Sequence, residues 1–374
     1  MKAYLDNAAT TAIATEVLEV MNDALSNDFG NPSSSHSEGR KSKAKMEQAR
    51  KEIAKMFNVS GSQIVFTSGG TEANNLAIQS VLKSGEITQV ITTDIEHHAV
   101  LNTIEKCCVE HDIELRKLKL NSEGEIDLEG LAVLLSSGKK TFVSLMHGNN
   151  EIGNLLPIEQ VSSLCVEHGA IFHCDTVQTI GHKEFDLQKL KVDFITCSAH
   201  KIHGPKGIGF LYVNKDNKLA PLFYGGKQER GFRPGTENIA SILGMAKALN
   251  LAYENLEINE NIIQERKEQL IKQLQDEFEC VSFNGSALNS MSTVVNAQFD
   301  VEMDPGMLLF QLDLKGVCVS GGSACSSGSL KGSHVLSAVN PDNEMPSIRF
   351  SICRNTSAQE IDYVVDCLME ILGK

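Results

Sequence analysis

The sequence predicts an α/β protein built around a mostly parallel sheet. Between about residues 60 and 215, short β-rich runs alternate with segments of helical periodicity, which is the pattern of βαβ units. Most of these β-rich runs are apolar at every position rather than at every second one, as is typical of strands covered on both faces. We therefore expect them to lie centrally in the sheet. The length of 374 residues allows about two or three domains and a sizeable hydrophobic core.

Six runs fit this strand pattern, and helical segments separate several of them. The predicted strands are Gln63–Thr67, Gln89–Thr93, Thr141–Leu145, Ala170–Cys174, Asp193–Cys197 and Gly209–Val213. The predicted helices are Thr71–Lys83, His98–His111, Leu128–Ser136 and Ile158–His168. The first three of these helices have Thr, Asp or Glu near their start, as helix N-termini favour.

A second, smaller domain is predicted to begin near residue 258. The glycine-rich stretch Gly225–Gly231 is followed by two long helical patterns, at Glu237–Leu256 and Ile258–Phe278. A new βαβ-like series then runs to a last helical pattern at Ala358–Leu372. The apolar stretch Ile239–Tyr253 is interrupted by polar residues and is shorter than the roughly 20 residues that span a bilayer. We predict a buried helix there and no membrane partner.

The composition argues against several classes of protein. Lys and Arg total 34 against 48 Asp and Glu, and the formal charge of −14 disfavours nucleic acid as a general partner. The ten cysteines are scattered, without the spacing of a disulfide framework or a metal site, which favours a reducing cytoplasm and no resident metal. The N-terminus has an acid at position 6 and does not resemble a secretory signal. Segment 37–55, with seven basic and three acidic residues, is interpreted as an amphipathic helix with a solvated face.

A glycine-rich turn from strand to helix, Ser68–Asn74, predicts a phosphate site. The free backbone N–H groups of Gly70 and Thr71 and the Thr71 hydroxyl would converge there. The dinucleotide motif Gly-x-Gly-x-x-Gly is absent from this turn, and Gly226-Lys227 is followed by Gln instead of Ser or Thr. The phosphate is therefore expected on a ligand smaller than a nucleotide. A turn with only a structural role is the alternative.

A lysine and an aspartate follow two of the predicted strands. Lys201 lies just past one strand end, where burial lowers the pKa of a lysine amine; the neutral amine can form a Schiff base with an aldehyde cofactor or take a proton from carbon. Asp175 ends the other strand, at the sheet edge where ligands gather, and a buried carboxylate there needs a cationic partner. A protonated pyridine nitrogen is such a partner and would make its ring an electron sink. An exposed loop lysine and a structural ion pair are the alternatives.

Several short motifs spread along the chain match one family. They are Tyr4–Thr11, Gly30–Ser34, Thr67–Glu72, Glu96-His97, Asn149–Gly153, Asp175–Gln178, Ser198–Gly207, Arg233–Asn238, Ser323–Ser326 and Ile348–Ser351. With these motifs the chain resembles, nearly end to end, the class V aminotransferase group of pyridoxal-phosphate enzymes, specifically the cysteine desulfurases of the NifS/IscS type. The combination is highly specific.

The resemblance implies the fold of the pyridoxal-phosphate-dependent transferases, fold type I. This fold has a large domain around a mostly parallel seven-stranded sheet and a smaller α/β domain. We expect residues 15–257 to form the large, cofactor-binding domain. Residues 1–14 and 258–374 would form the small one, which would carry a mobile cysteine loop at about 320–333.

The same resemblance assigns the residues that hold the cofactor, pyridoxal 5'-phosphate. It implies that Lys201 holds the cofactor covalently, that Asp175 pairs with the ring nitrogen, and that His97 stacks on the ring. Gln178 and Asn150 would form hydrogen bonds near the ring hydroxyl. The implied phosphate ligands are Gly70, Thr71, Ser198, His200 and, from the neighbouring subunit of a homodimer, Thr236.

The resemblance also assigns the substrate and sulfur-transfer residues. Arg349 would hold the carboxylate of L-cysteine through a bidentate contact, with Asn150 and Asn31 in the same pocket. Cys325 lies among glycine and serine with no apolar neighbours, whereas most other cysteines are interpreted as small buried hydrophobes. Cys325 would take the sulfur as a persulfide, with His97 as its proton partner and L-alanine as the product. An acceptor protein, for iron–sulfur cluster assembly or tRNA thiolation, would then receive the sulfur.

Other functions stay open at this point. An aminotransferase or lyase on the same scaffold, acting for instance on selenocysteine or cysteine sulfinate, would not need Cys325. A sulfur-trafficking platform whose main role is to bind a scaffold protein would neither bind pyridoxal phosphate nor consume cysteine. A hydrolase that uses Cys325 and His334 would leave Lys201 and Asp175 without a role.

Overall fold

A computed structural model describes residues 1–286, 290–322, 332–342 and 345–373 of the chain. Its largest sheet is formed by the strands Ile64–Thr67 (β2), Gln89–Thr92 (β3), Glu114–Lys117 (β4), Thr141–Ser144 (β5), Ile171–Asp175 (β6), Phe194–Ser198 (β7) and Gly209–Val213 (β8). These seven strands lie in the order β2–β8–β7–β6–β5–β3–β4. β8 is antiparallel to both of its neighbours, and the other pairs are parallel. The predicted mostly parallel α/β sheet is confirmed.

Two smaller sheets lie in the terminal parts of the chain. The first strand, Ala3–Tyr4 (β1), pairs in parallel with Val317–Cys318 (β11). Val294–Phe299 (β10) is the central strand of an antiparallel sheet, between Val281–Asn284 (β9) and Ser347–Ser351 (β12). The N-terminus therefore joins the C-terminal third of the protein.

The helices of the described residues cover the sheets. They are Thr15–Asn27 (α1), Ser37–Met56 (α2), Gly70–Leu82 (α3), His98–Glu110 (α4), Leu128–Leu135 (α5), Ile158–Glu167 (α6), Ile239–Glu254 (α7), Leu256–Glu277 (α8), Pro305–Leu314 (α9), His334–Val339 (α10) and Ala358–Leu372 (α11). Side-chain caps start several of them: Asp127 accepts from the Gly130 N–H at the start of α5, and Ser357 and Glu360 form a capping box at α11. None of these helices is both long enough and apolar enough to cross a bilayer.

The predicted strands and helices are all present, with ends within two residues of the prediction. Strand β4 was not predicted, because its sequence Glu-Leu-Arg-Lys is polar and its side chains are at least partly exposed at the sheet edge. The expectation of a central position was wrong for β2, which is the opposite edge strand.

Charged side chains cover the free edge of β2. Arg50 and Arg230 each donate to the carbonyl oxygen of Ile64, at 3.0 and 2.8 Å, and Glu229 accepts from the N–H of Phe66 at 2.8 Å. Arg50 and Glu229 also form an ion pair in which both side chains are buried. An edge strand must have its unpaired backbone groups satisfied or protected. The cover satisfies the outer backbone groups of β2. Its side chains are buried on both faces of the sheet, Ile64 and Phe66 in one hydrophobic cluster and Val65 in another, which explains why the sequence is as apolar as that of a central strand.

The three largest hydrophobic clusters are divided between the two parts of the chain, and two small clusters combine residues of both. Two clusters lie around the large sheet and draw their buried residues from positions 17 to 249. A third cluster combines Ala3 and Leu5 with residues 263 to 368. This separation supports the proposed division into residues 15–257 and residues 1–14 with 258–374, which stays a prediction.

Candidate active site

A cavity of about 200 Å³ lies at the edge of the large sheet where β6 and β7 end. Ten of the predicted site residues line it: Gly70, Thr71, His97, Asn150, Asp175, Gln178, Ser198, His200, Lys201 and Arg349. Four larger cavities, of about 450, 990, 480 and 460 Å³, contain none of these residues. The carboxyl edge of a parallel sheet is the expected position for a ligand site, because the loops that follow the strands meet there.

The glycine-rich turn forms one end of the cavity. Gly69 precedes α3 with φ +151°, and Gly70 is the first residue of the helix. A side chain on Gly70 would bring its Cβ within 2.7 Å of Cγ2 of Val177. Glycine therefore leaves the space in which the unpaired N–H groups of the first helical turn can meet an anion.

Two polar side chains complete this end, one from the last residue of β7 and one from the turn that follows it. Ser198 is buried, and His200 lies half-buried with Nδ1 3.2 Å from the Thr10 hydroxyl oxygen. Burial and the nearby Lys201 amine lower the pKa of His200 to about 4. The ring is therefore neutral at pH 7 and can contribute a hydrogen bond, but no charge, to a phosphate.

Asp175, at the end of β6, supplies a buried carboxylate. Its side chain accepts from Nδ2 of Asn74 at 2.7 Å and from the N–H of Val177 at 3.0 Å. The Thr196 hydroxyl lies 3.4 Å from the same carboxylate. Sequence reasoning assigned no role to Asn74, although it lies inside the quoted Ser68–Asn74 motif.

Lys201 lies in a short 3₁₀ turn, Ala199–Lys201, directly after β7. Its Nζ donates to the carbonyl oxygen of Ala9 at 2.9 Å and to that of Ala8. The amine is thus directed into the cavity by the N-terminal segment. The Lys201 side chain is half-buried, so the alternative of an exposed loop lysine does not hold.

His97 is the N-cap of α4, and this role limits its chemistry. Its Nδ1 accepts from the N–H of Ala99 at 3.1 Å, so the proton of the neutral ring lies on Nε2. Burial is the main cause that lowers the pKa of His97 below its usual range, and nearby Lys201 adds to it while Asp175 opposes it. At neutral pH the ring therefore offers an Nε2–H donor.

Arg349, on β12, is 1% exposed and its guanidinium is held on two sides. Nη2 forms an ion pair with Asp6 at 2.7 Å, and Nη1 donates to the carbonyl oxygen of Asn150 at 3.0 Å. Nε has no hydrogen-bond partner among the described residues. Asp6 lies within the Tyr4–Thr11 motif, but nothing in the sequence alone linked it to Arg349.

Of the other predicted residues, Asn31 and Thr236 do not line this cavity. Asn31 is exposed, and its Oδ1 accepts from the N–H of Ser33 at 2.9 Å. Thr236 is also exposed; its predicted contact is with a neighbouring subunit, and it stays a prediction. Cys325 lies outside the described residues. Within those residues, no group of three His, Cys, Asp or Glu side chains could hold a metal ion.

The family can be identified by comparison with known proteins. The family model described as aminotransferase class-V matches residues 3–364. The chain belongs to the class V aminotransferase family. Within this family it matches the cysteine desulfurase IscS of Dictyoglomus turgidum, with 41% identity over 100% of this chain and 95% of that protein. It is also 39% identical to a cysteine desulfurase of Nostoc sp., over 99% of this chain and 93% of the relative.

Comparison with solved structures agrees with this family assignment. A NifS-like protein superposes with a TM-score of 0.93 at 34% identity and covers 100% of both chains. A structure titled SspA in complex with cysteine has a TM-score of 0.83 at 31% identity, over 95% of this chain and 100% of that one. The predicted resemblance to cysteine desulfurases of the NifS/IscS type is confirmed.

Proposed function

We propose that this member of the family is a pyridoxal-phosphate-dependent cysteine desulfurase that converts L-cysteine to L-alanine and leaves the sulfur on Cys325 as a persulfide. The observation that carries the proposal is that Lys201, Asp175 and the glycine-rich turn face one cavity. Its relatives at about 40% identity are cysteine desulfurases, and the similar structure of SspA is titled as a complex with cysteine.

The cavity fits the proposed cofactor in three respects. The helix start at Gly70, where a Cβ would meet Val177 at 2.7 Å, offers a cradle for a phosphate. Asp175 is 4% exposed and suits a cationic ring nitrogen, and the Lys201 amine suits an aldehyde. Pyridoxal phosphate, when bound, supplies an electron-withdrawing ring that stabilises negative charge on the substrate Cα.

The remaining lining residues would orient the cofactor and the substrate. His97 would stack on the ring, and Gln178 and Asn150 would contact its hydroxyl side. Gln178 is already oriented by a hydrogen bond from its Nε2 to the carbonyl oxygen of Ala8 at 3.0 Å. Arg349 would bind the carboxylate of L-cysteine, since its guanidinium is directed by Asp6 and its Nε lacks a partner among the described residues.

The chain's own groups would carry the proton and sulfur transfers. Lys201 Nζ would take the proton from the substrate Cα. The thiolate of Cys325 would then attack the substrate sulfur, so that an S–S bond forms and the Cβ–S bond breaks. The electron pair of the broken bond goes to the carbon skeleton, which gains a proton and leaves as alanine.

A homodimer is part of the proposal, because Thr236 would complete the phosphate site of the neighbouring subunit. Thr236 is exposed in the single chain, as a residue that reaches a partner must be. We also propose a sulfur-acceptor protein as partner and the cytoplasm as location. The nine cysteines in the described part of the chain form no disulfide bonds with one another, which suits a reducing compartment.

The Cys325→Ser substitution should separate cofactor binding from sulfur transfer. We expect the variant to keep the absorbance of the bound cofactor and to lose sulfide release from cysteine in dithiothreitol, because serine cannot accept sulfur. In the unsubstituted protein, mass analysis of the Cys325 peptide after incubation with cysteine should show one added sulfur.

The matched control for this experiment is Cys318→Ser, at a partly buried cysteine in the same part of the chain, which should keep sulfide release. Unchanged sulfide release by Cys325→Ser would contradict the role of Cys325. Formation of pyruvate or another keto acid instead of alanine would favour a lyase or an aminotransferase.

Replacing Gly70 with alanine should weaken binding of pyridoxal phosphate about tenfold. The new Cβ would lie 2.7 Å from Cγ2 of Val177, and the β-branched valine has little rotamer freedom with which to move away. Titration of the apo protein with the cofactor, followed by absorbance, measures the effect. The double variant Gly70→Ala, Val177→Ala removes the clash and should recover most of the affinity; equal binding by Gly70→Ala and the unsubstituted protein would refute the tight cradle.

A further inference from the structure

A line of buried polar side chains leads from the middle of the large sheet to Asp175. Ser144 and His173 are paired in register on β5 and β6, and the Ser144 hydroxyl oxygen is 2.8 Å from Nδ1 of His173. Nε2 of His173 is 3.0 Å from Oδ1 of Asn74, and Nδ2 of Asn74 donates to Oδ2 of Asp175 at 2.7 Å. All four side chains are at most 4% exposed. Water therefore does not compete for these bonds.

One arrangement of protons satisfies this line when Asp175 is ionised. A carboxylate only accepts, so Asn74 turns its NH₂ group toward Asp175 and its carbonyl oxygen toward His173. Nε2 of His173 then carries the ring proton, which leaves Nδ1 to accept from the Ser144 hydroxyl. Burial lowers the pKa of His173 to about 4, so the ring is neutral with one donor and one acceptor. In each of these hydrogen bonds the donor therefore lies on the Ser144 side and the acceptor on the Asp175 side.

The local structure explains why these residues meet. His173 and Asp175 are two residues apart on β6, so their side chains lie on the same face of the sheet. Helix α3 packs on that face, and Asn74, one turn from its start, contacts both side chains. The same helix begins at Gly70, at the phosphate end of the cavity. Asn74 thus connects the helix that would bind the phosphate to the carboxylate that would bind the ring nitrogen.

The other donors to Asp175 contact only one of its two carboxylate oxygens, and Asn74 contacts the second. The N–H of Val177 and the Thr196 hydroxyl contact Oδ1, at 3.0 and 3.4 Å. Oδ2 receives the Asn74 amide at 2.7 Å. A carboxylate held through both oxygens keeps one orientation, whereas the loss of the Asn74 contact would let it turn about its χ2 bond.

We propose that Ser144, His173 and Asn74 are positioning residues that orient the carboxylate of Asp175 toward the ring nitrogen of the bound cofactor. This inference rests on the proposed function, because it assumes pyridoxal phosphate in the cavity. The three residues act through Asp175, and their effect is confined to ligands that present a nitrogen to it.

The test compares pyridoxal phosphate with its 1-deaza analogue, in which a C–H group replaces the ring nitrogen. Both are titrated into apo protein, and binding is followed by absorbance. We expect His173→Leu to weaken pyridoxal phosphate about tenfold, the order expected for a hydrogen bond to a charged group, without weakening the analogue. His173→Gln keeps one donor and one acceptor and should recover most of the affinity. Ser144→Ala removes only the donor farthest from Asp175 and should weaken pyridoxal phosphate less than His173→Leu does.

His147→Leu is the matched control. His147 is also a buried histidine with a pKa lowered to about 4, but its Nδ1 is 2.9 Å from the Thr179 hydroxyl oxygen and its side chain lies outside the line to Asp175. The ratio of the two affinities should be unchanged in this variant. Equal weakening of both ligands by His173→Leu, or no weakening of either, would overturn the positioning role. Failure of the unsubstituted protein to bind pyridoxal phosphate would overturn the proposed function instead.

Discussion

Replacing Lys201 with alanine is expected to abolish the absorbance band of the lysine-linked cofactor and to lower cysteine turnover by about 10³-fold. The Lys201 amine is directed into the cavity by the carbonyl oxygens of Ala8 and Ala9. No other lysine lines the cavity in the part of the chain that the structure describes. The variant would therefore lack both the group that holds the aldehyde and the base that takes the Cα proton.

Absorbance spectra of the reconstituted, dialysed protein and the rate of alanine release measure the two effects separately. The matched control is Lys206→Ala, which removes an exposed lysine from the same loop. We expect this control to keep both the band and the rate. A Lys201→Ala protein that retained the lysine-linked band would disprove the assignment, whatever its activity.

The Arg349→Lys substitution should raise KM for L-cysteine by about 10- to 100-fold, the range expected when one or two charge-assisted hydrogen bonds are lost. Arg349 is 1% exposed, and two of its nitrogens are already engaged, by Asp6 and by the Asn150 carbonyl. Lysine keeps the positive charge but cannot present a planar fork to Asp6, Asn150 and a substrate carboxylate together. The loss is therefore expected in substrate binding more than in kcat.

Steady-state kinetics with cysteine separate KM from kcat, and a thermal melt of each variant shows whether the fold is retained. Arg354→Lys is the matched control, because Arg354 follows the same strand, is half-buried and does not line the cavity. An Arg349→Lys enzyme with an unchanged KM would show that another group binds the carboxylate.

The large sheet was predictable because its strands carry local patterns. Runs of apolar, β-branched residues specify a buried strand wherever they lie, and the predicted runs became β2, β3, β5, β6, β7 and β8. Such a run indicates that a strand is buried, but not which part of the protein buries it. The run at β2 is apolar although the strand lies at an edge, because both of its faces pack into hydrophobic clusters, while Arg50, Arg230 and Glu229 satisfy the outer backbone groups. The polar strand β4 has no such run and was missed.

Site residues were predictable where they follow a strand or open a helix. Lys201, Asp175 and the turn at Gly70 all lie at such ends, and the topology of parallel strands brings these ends to one edge. Their partners were not predictable in the same way. Asp6 pairs with Arg349 across 343 residues, and the Ala8 carbonyl accepts from Lys201 across 193. The positions of two distant segments along the sequence do not indicate that they are in contact in the folded protein.

By itself, the sequence determined the α/β class, the order of the main elements, the family and the residues that end its strands, since each of these depends on neighbours along the chain. The tertiary structure alone decided how those residues are held. It brings the N-terminal segment to Lys201 and Arg349, and it lays Asn74 across His173 and Asp175. The physical reason is that a hydrogen bond depends on distance and direction in space, which exist only after the chain has folded.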